Sequence, residues 1–487
     1  MTPPLASTNH RYAVIGAGMS GLLTAIRLRE SGIENFTVYE KAARLGGTWR
    51  DNVYPGLSCD VPSHLYRYTF EPNPDWTHMF SPGAEILDYF AKVAEKYGLD
   101  RFIRYDTEIA SAAFVDNRWR LRTAAGETDE VDFVICATGV LREPVFPKID
   151  GLGGFEGSCF HSSRWDQSAS LDGARVGIIG TGSTGIQIVP AIVDRVVKVS
   201  LFQRTPQWIV PLENPAYTAD QKTNFRDNLD SMDALYDEIS DHWSSTFARA
   251  VVGNRKIMAK IEEACQQNLD DNVHDADLKH RLTPDYAVAC KRLIMSDSFY
   301  PAIQKFAAAL VTDPILCIEP NGVRTEDGTL HELDVLVLAT GFEGHRFMRP
   351  MAITGQGGIT LEETWADGNE ADRSVAVPGF PNFFMLVGPN SPIGNFSLIQ
   401  ISETQLAYVM QLIDQVRTGQ CTAIAPRRDA TDRFNAAIKH AMKGTVWVTG
   451  CRSWYLDKNG NPAMWPWTFE RFNDEMRRPD LADFELA

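Results

Sequence analysis

Two glycine-rich loops carry chemistry that residue type and spacing alone can define. Gly16-x-Gly18-x-x-Gly21 and Gly180-x-Gly182-Ser183-x-Gly185 each leave a short apolar run and open a helical pattern. In such a loop the first glycine makes the tight turn. The second lets backbone approach a pyrophosphate, and the third lets helix and strand pack closely. The helix N-terminus adds positive potential for the phosphates, and Ser183 is expected among the cofactor-binding residues of the second loop. One such loop alone is a weak signal; the strand before it and the helix after it make it specific. The residue closing the next strand stands at the same offset from its loop in both copies. It is Glu40 in the first and Arg204 in the second. An acid there accepts hydrogen bonds from ribose hydroxyls and repels a 2′-phosphate, whereas a cation attracts one. The first loop is therefore expected to hold FAD and the second NADPH. Thr205 can add a hydroxyl contact to that phosphate.

These loops need elements to position them. Residues 11–41 read strand, turn, helix, strand, and residues 174–205 repeat that order. The first copy runs from Tyr12-Ala13-Val14-Ile15 through Leu22, Leu23, Ile26 and Leu28 to Phe36-Thr37-Val38-Tyr39. The second runs from Val176-Gly177-Ile178-Ile179 through Ile188 and Ile192 to Val199-Ser200-Leu201-Phe202-Gln203. Pro190 removes a backbone donor inside the second helix, so a kink is expected there. Residues 131–137 and 335–339 read as buried strands that enter Ala137-Thr138-Gly139 and Ala339-Thr340-Gly341. Residues 86–97 have helical periodicity. Residues 219–279 are polar and helix-prone, which suggests an insertion within the second nucleotide unit. Residues 383–388 read as a strand and 402–416 as a helix, and residues 447–467 are rich in tryptophan and proline and look like an irregular cap.

The 487 residues allow about three domains at roughly 100–200 residues each. With 44% hydrophobic and 23% charged residues the chain reads as globular. The net charge of -16 argues against nucleic acid or an anionic membrane as the main partner. No apolar run is long enough for a membrane span, and too few residues precede the first strand for a signal peptide. The chain is thus expected to be cytoplasmic. The eight cysteines contain no Cys-x-x-Cys pair. They are expected as free, buried thiols, and a dithiol reductase is disfavoured. No metal site is expected.

The segment Phe155-x-Gly157-x-x-x-His161-x-x-x-Trp165-Asp166, just before the second glycine loop, resembles the fingerprint of type I Baeyer–Villiger monooxygenases. Gly46-Gly47-Thr48-Trp49, Tyr54-Pro55-Gly56 and Asp60 are similar to a second pattern of that family. The resemblance spans nearly the whole chain. It implies an α/β fold with two Rossmann-like dinucleotide-binding domains and a helical insertion. The FAD domain would comprise residues 1–140 and 345–487 with a C-terminal cap. The NADPH domain would comprise 150–205 and 290–340, with the insertion at 206–289. In the family, NADPH reduces the flavin, O2 adds at its C4a position, and the resulting peroxide attacks a ketone to give an ester or lactone.

The peroxide must stay anionic to act as a nucleophile, and a fixed cation is required beside it. Read by residue type alone, Lys291-Arg292 is compatible with a solvated dipeptide. By resemblance, Arg292 is the catalytic cation, Lys291 helps hold the 2′-phosphate, and Asp60 orients Arg292. A turn-capping role for Asp60 stays open. His161 is implied at the interdomain linker, Trp165 packs at that junction, and Trp49 lies near the flavin or in the core. Departures are Leu141-Arg142-Glu143-Pro144 after the first linker, His161-Ser162 in the fingerprint, and Gly394-Asn395-Phe396-Ser397 in place of a more frequent Gly-His-Asn-Ser. A rival reading is a flavin enzyme oxidising sulfides or amines, which would use the protonated peroxide. Another is a nucleotide-binding protein without turnover, against which Asp60 and Arg292 weigh.

Overall fold

The structure is a computed structural model describing residues 10–487. Residues 1–9, included in the expected first FAD segment, lie outside that range. Two five-stranded parallel sheets dominate it. In the first the order is Phe383–Met385, Phe133–Cys136, Tyr12–Ile15, Phe36–Tyr39, Ile103–Arg104. In the second it is Ala308–Val311, Lys198–Phe202, Arg175–Ile179, Val335–Leu338, Ser158–His161. The strand feeding each glycine loop lies centrally, between the strand that follows it and a later one. The strands Tyr12–Ile15, Phe133–Cys136 and Val335–Leu338 are buried along their whole length. A parallel sheet with covered faces requires such apolar runs. The crossover helices Met19–Glu30 and Ser183–Ile192 begin directly after their loops, and the second continues two residues past Pro190.

The run 131–137 is not one strand. Val131 ends Thr128–Val131, which pairs antiparallel with Arg118–Thr123, whereas Phe133–Cys136 belongs to the first parallel sheet. Asp132 causes the break. Its carboxylate accepts the Arg11 backbone N–H at 2.7 Å, and its own N–H donates to the Arg11 carbonyl at 2.8 Å. A side chain that bonds local backbone in this way competes with a continuing ladder.

Between Ile209–Val210 and Ile294–Met295 lie the helices Ala219–Asp227, Leu229–Ser245, Phe247–Val251, Arg255–Asn272 and Ala276–Leu282. Buried Arg67 reaches from the residues after the first loop to Asp233 at 2.7 Å and lies over the Tyr236 ring. This anchors the helical segment on the first sheet's side. The cysteines depart from expectation. Cys290 and Cys451, 161 positions apart, form a disulfide, and Cys159 is exposed. Spacing in sequence could not show this pairing, because the fold brings the two together. Among the described residues no helix is long and apolar enough to cross a membrane.

Candidate active site

At the first loop Gly16 adopts φ 105°, and a Cβ there would stand 2.6 Å from the Ala137 carbonyl oxygen. A Cβ at Gly21 would stand 1.8 Å from the Gly16 oxygen, so helix and loop touch only because Gly21 has no side chain. Gly18 precedes the helix with no side-chain cap, which leaves the first helical N–H groups directed at a ligand. Gly47 lies over Gly18, where a Cβ would come within 3.1 Å of the Gly18 Cα. Thr48 and Trp49 continue from this turn, and the Trp49 indole N–H donates to the Tyr66 hydroxyl at 3.1 Å. Glu40 is buried and accepts the N–H groups of Ala17 and Ala42, each at 2.9 Å, with Arg50 also at 2.9 Å. A carboxylate has about four acceptor positions, so the oriented Glu40 keeps capacity for a ribose hydroxyl. An uncapped helix start, a backbone cradle and a fixed acid fit FAD.

The second loop repeats the geometry. Gly180 has φ 115° and would clash with the Ala339 oxygen, and Gly185 with the Gly180 oxygen. Nothing lies within 4 Å of a Cβ placed on Gly182, and the helix from Ser183 also starts without a side-chain cap. Arg204 is exposed past the strand end, and Thr205 follows, its carbonyl accepting the Thr181 hydroxyl at 2.8 Å. Lys291 comes from a distant part of the chain to face Arg204 and lies 4.4 Å from the centroid of the Tyr286 ring. Burial, and then the facing Arg204 charge, lowers the proton affinity of Lys291. Two neighbouring cations suit a phosphate, and the Asp285 carboxylate acts on Lys291 more weakly than Arg204 does. Gly182→Ala tests the open space. The substitution meets no protein atom, so the fold and FAD content should be unchanged. NADPH binding should weaken by about ten-fold or more, the worth of one backbone–phosphate hydrogen bond. Unchanged NADPH affinity would place the pyrophosphate elsewhere.

Asp60 and Arg292, 232 positions apart, form an ion pair between the two units. Arg292 Nε donates to Asp60 Oδ2 at 3.1 Å, and Nη2 donates to the same oxygen. Both side chains keep about 30% exposure, so the pair is reachable from the site. Burial works against the cation, but the Asp60 carboxylate outweighs it and holds the guanidinium above its ordinary range. Arg292 thus carries a fixed charge at every working pH.

His161 is buried. Its Nε2 lies 3.1 Å from the Gly341 carbonyl and its Nδ1 accepts the Ser163 N–H at 3.1 Å. Burial lowers its proton affinity, in keeping with a neutral ring. It braces a junction where the two chain crossings pair. Pro144 and Phe342 form an antiparallel bridge, Val145 N–H donates to the Gly341 carbonyl, and Glu343 N–H to the Glu143 carbonyl, both at 2.9 Å. Arg142 donates to the carbonyls of Phe347 and Arg349. Trp165 packs on Phe160 with ring centroids 4.9 Å apart. Phe155 lies against Gly157, where a Cβ would stand 2.7 Å from the Phe155 ring. Tyr54 and Gly56, quoted in the second family pattern, meet the second crossover helix, a partner the sequence did not give: the Tyr54 hydroxyl donates to Gln187 at 3.0 Å, and Gly56 lies against the same residue's backbone. Sequence reasoning missed Tyr455, which stands beside Arg292. No local pattern marks these contacts between distant segments.

The flavin-binding monooxygenase-like family model matches residues 9–351. An uncharacterized monooxygenase of Mycobacterium tuberculosis is 48% identical over 457 residues, covering 93% of this chain and 91% of that protein. A Baeyer–Villiger monooxygenase of Streptomyces coelicolor is 40% identical, covering 98% of this chain and 92% of its own. The crystal structure of OTEMO in complex with FAD and NADP superposes with a TM-score of 0.88 at 25% identity, covering 98% of this chain and 99% of that one. Two Rossmann-like units and the matched sequence therefore agree, and the chain belongs to the flavin-binding monooxygenase-like family.

Proposed function

We propose that this protein is a Baeyer–Villiger monooxygenase, which uses NADPH and O2 to insert one oxygen atom beside a ketone carbonyl and releases an ester or lactone with water. The observation that carries the reading is the Asp60–Arg292 pair, which joins a residue shortly after the first glycine loop's unit to one far along the chain in a structure with two dinucleotide-binding sheets. FAD, when bound, takes reducing equivalents from NADPH and delivers oxygen to the substrate. The loop Gly16, Gly18, Gly21 with Glu40 and Gly47–Trp49 holds FAD. The loop Gly180, Gly182, Ser183, Gly185 with Arg204, Thr205 and Lys291 holds NADPH. Arg292 stabilises the negative charge that oxygen acquires during insertion, the kind of charge that preorganised cations in a sheltered site stabilise well. A permanently charged Arg292 favours attack on a carbonyl over transfer of a protonated oxygen to sulfur. His161 and the paired crossings hold the two units in register.

The test is product analysis. Purified yellow protein receives NADPH, O2 and a panel of cyclic, linear and aryl ketones beside a thioether, with mass detection of oxygen insertion. Ester or lactone from any ketone is the expected result. Sulfoxide alone would replace this reading with heteroatom oxidation, and no oxygenated product from an FAD-loaded protein would overturn it.

A further inference from the structure

We propose that Tyr455, on the irregular C-terminal cap, is a second positioning residue for Arg292, accepting a hydrogen bond on the edge of the guanidinium that Asp60 leaves open. This rests on the reading of Arg292 as the cation facing the reacting oxygen. Asp60 uses Nε and Nη2. The remaining nitrogen, Nη1, faces a different wall. A Cβ on Gly394 would lie 3.1 Å from Arg292 Nη1 and 2.7 Å from the Tyr455 hydroxyl oxygen, so that nitrogen and that oxygen border the same small space. Guanidinium has donors only. The phenol oxygen must therefore be the acceptor, and its own hydrogen points away from Arg292.

The phenol is rigidly placed. Tyr455 is buried, with Trp447 at 6.0 Å and Trp454 at 4.6 Å between ring centroids. Its backbone N–H donates to the Ser453 hydroxyl at 3.2 Å, and its carbonyl accepts the Ala463 N–H at 2.8 Å. The Cys290–Cys451 bridge joins the chain two residues before Arg292 to the chain four residues before Tyr455. Both members of the contact therefore sit on covalently linked segments. Burial also keeps the phenol protonated. A neutral acceptor fixes Arg292 without cancelling its charge, whereas a second carboxylate would leave the cluster negative. Gly394, with φ 90°, passes close to both groups, and any larger residue would wedge them apart.

Tyr455→Phe in the FAD-loaded protein separates positioning from packing, because the ring is kept and only the acceptor is lost. Two readouts apply. The first is the rate at which butanedione modifies Arg292, followed by peptide mass spectrometry, with Arg204 as an internal reference. The second is the partition of oxidised NADPH between ester and hydrogen peroxide. The variant is expected to show Arg292 modification about ten-fold faster and an ester share about ten-fold lower, the value of one charge-assisted hydrogen bond. Flavin reduction by NADPH should be unchanged. Gly394→Ala should shift both readouts in the same direction. A modification rate like that of the wild type, or faster modification with an unchanged partition, overturns the proposal. Absence of ester from the wild type would instead remove the reading of Arg292, while the modification rates still decide whether Tyr455 holds it.

Discussion

Arg292→Ala is expected to give a yellow protein that still binds FAD and oxidises NADPH but makes about 10²–10³-fold less ester, the usual cost of removing one electrostatic stabiliser from a sheltered site. The reducing equivalents should appear as hydrogen peroxide. Two effects add in this variant. The cation is lost, and Asp60, which now pairs with it through Nε and Nη2, is left as a bare carboxylate beside the reacting oxygen. The net charge of the pair goes from zero to negative. Adding Asp60→Asn removes that repulsion without restoring the cation, so the double variant should remain far below wild type. Arg292→Lys keeps a charge but not the planar fork, and should fall between. The assay is ester and peroxide yield per NADPH consumed. Wild-type ester yield from Arg292→Ala would remove this residue from the mechanism.

The second large effect concerns the reductant. Arg204→Ala should raise the KM for NADPH by about 10–100-fold, the worth of a charge-assisted contact to phosphate, while leaving the KM for NADH nearly unchanged. Steady-state kinetics with both nucleotides check this, and an unchanged NADPH value would place the 2′-phosphate elsewhere. The facing Lys291 adds a pH dependence. Burial and Arg204 already lower its proton affinity, so it loses charge earlier than an ordinary lysine as pH rises. NADPH affinity should weaken toward alkaline pH, and Lys291→Arg should flatten that dependence because arginine keeps its proton.

Local chemistry was readable from the residues, and long-range pairing was not. Each glycine loop, its strand, its helix and the discriminating Glu40 or Arg204 lie within one short stretch, and the steric demands on Gly16, Gly21, Gly180 and Gly185 are met by neighbours in the same unit or the adjoining linker. The contact of Asp60 with Arg292 spans 232 positions, and residue type alone left Lys291-Arg292 open to a bland surface reading. Only the resemblance singled it out. Tyr455 and the Cys290–Cys451 bridge had no signal at all, since a lone tyrosine in an irregular cap and two isolated cysteines have no periodicity to read. The run 131–137 misled for the opposite reason. Its apolar character was real, but one carboxylate bonded to Arg11 was enough to send its two ends into different sheets.

The paired chain crossings at residues 143–145 and 341–343 have a mechanical consequence. Two independent tethers would let one body twist, slide and tilt against the other. Two tethers laced edge to edge form a flat strap, which flexes across its thin dimension and resists torsion, because torsion must pull its cross-links apart. The strap is not the sole connection, since the Asp60–Arg292 pair and the Cys290–Cys451 bridge join the same parts of the chain at other points. Lengthening one crossing alone would unlace the strap, whereas equal insertions on both sides would leave its cross-links able to pair.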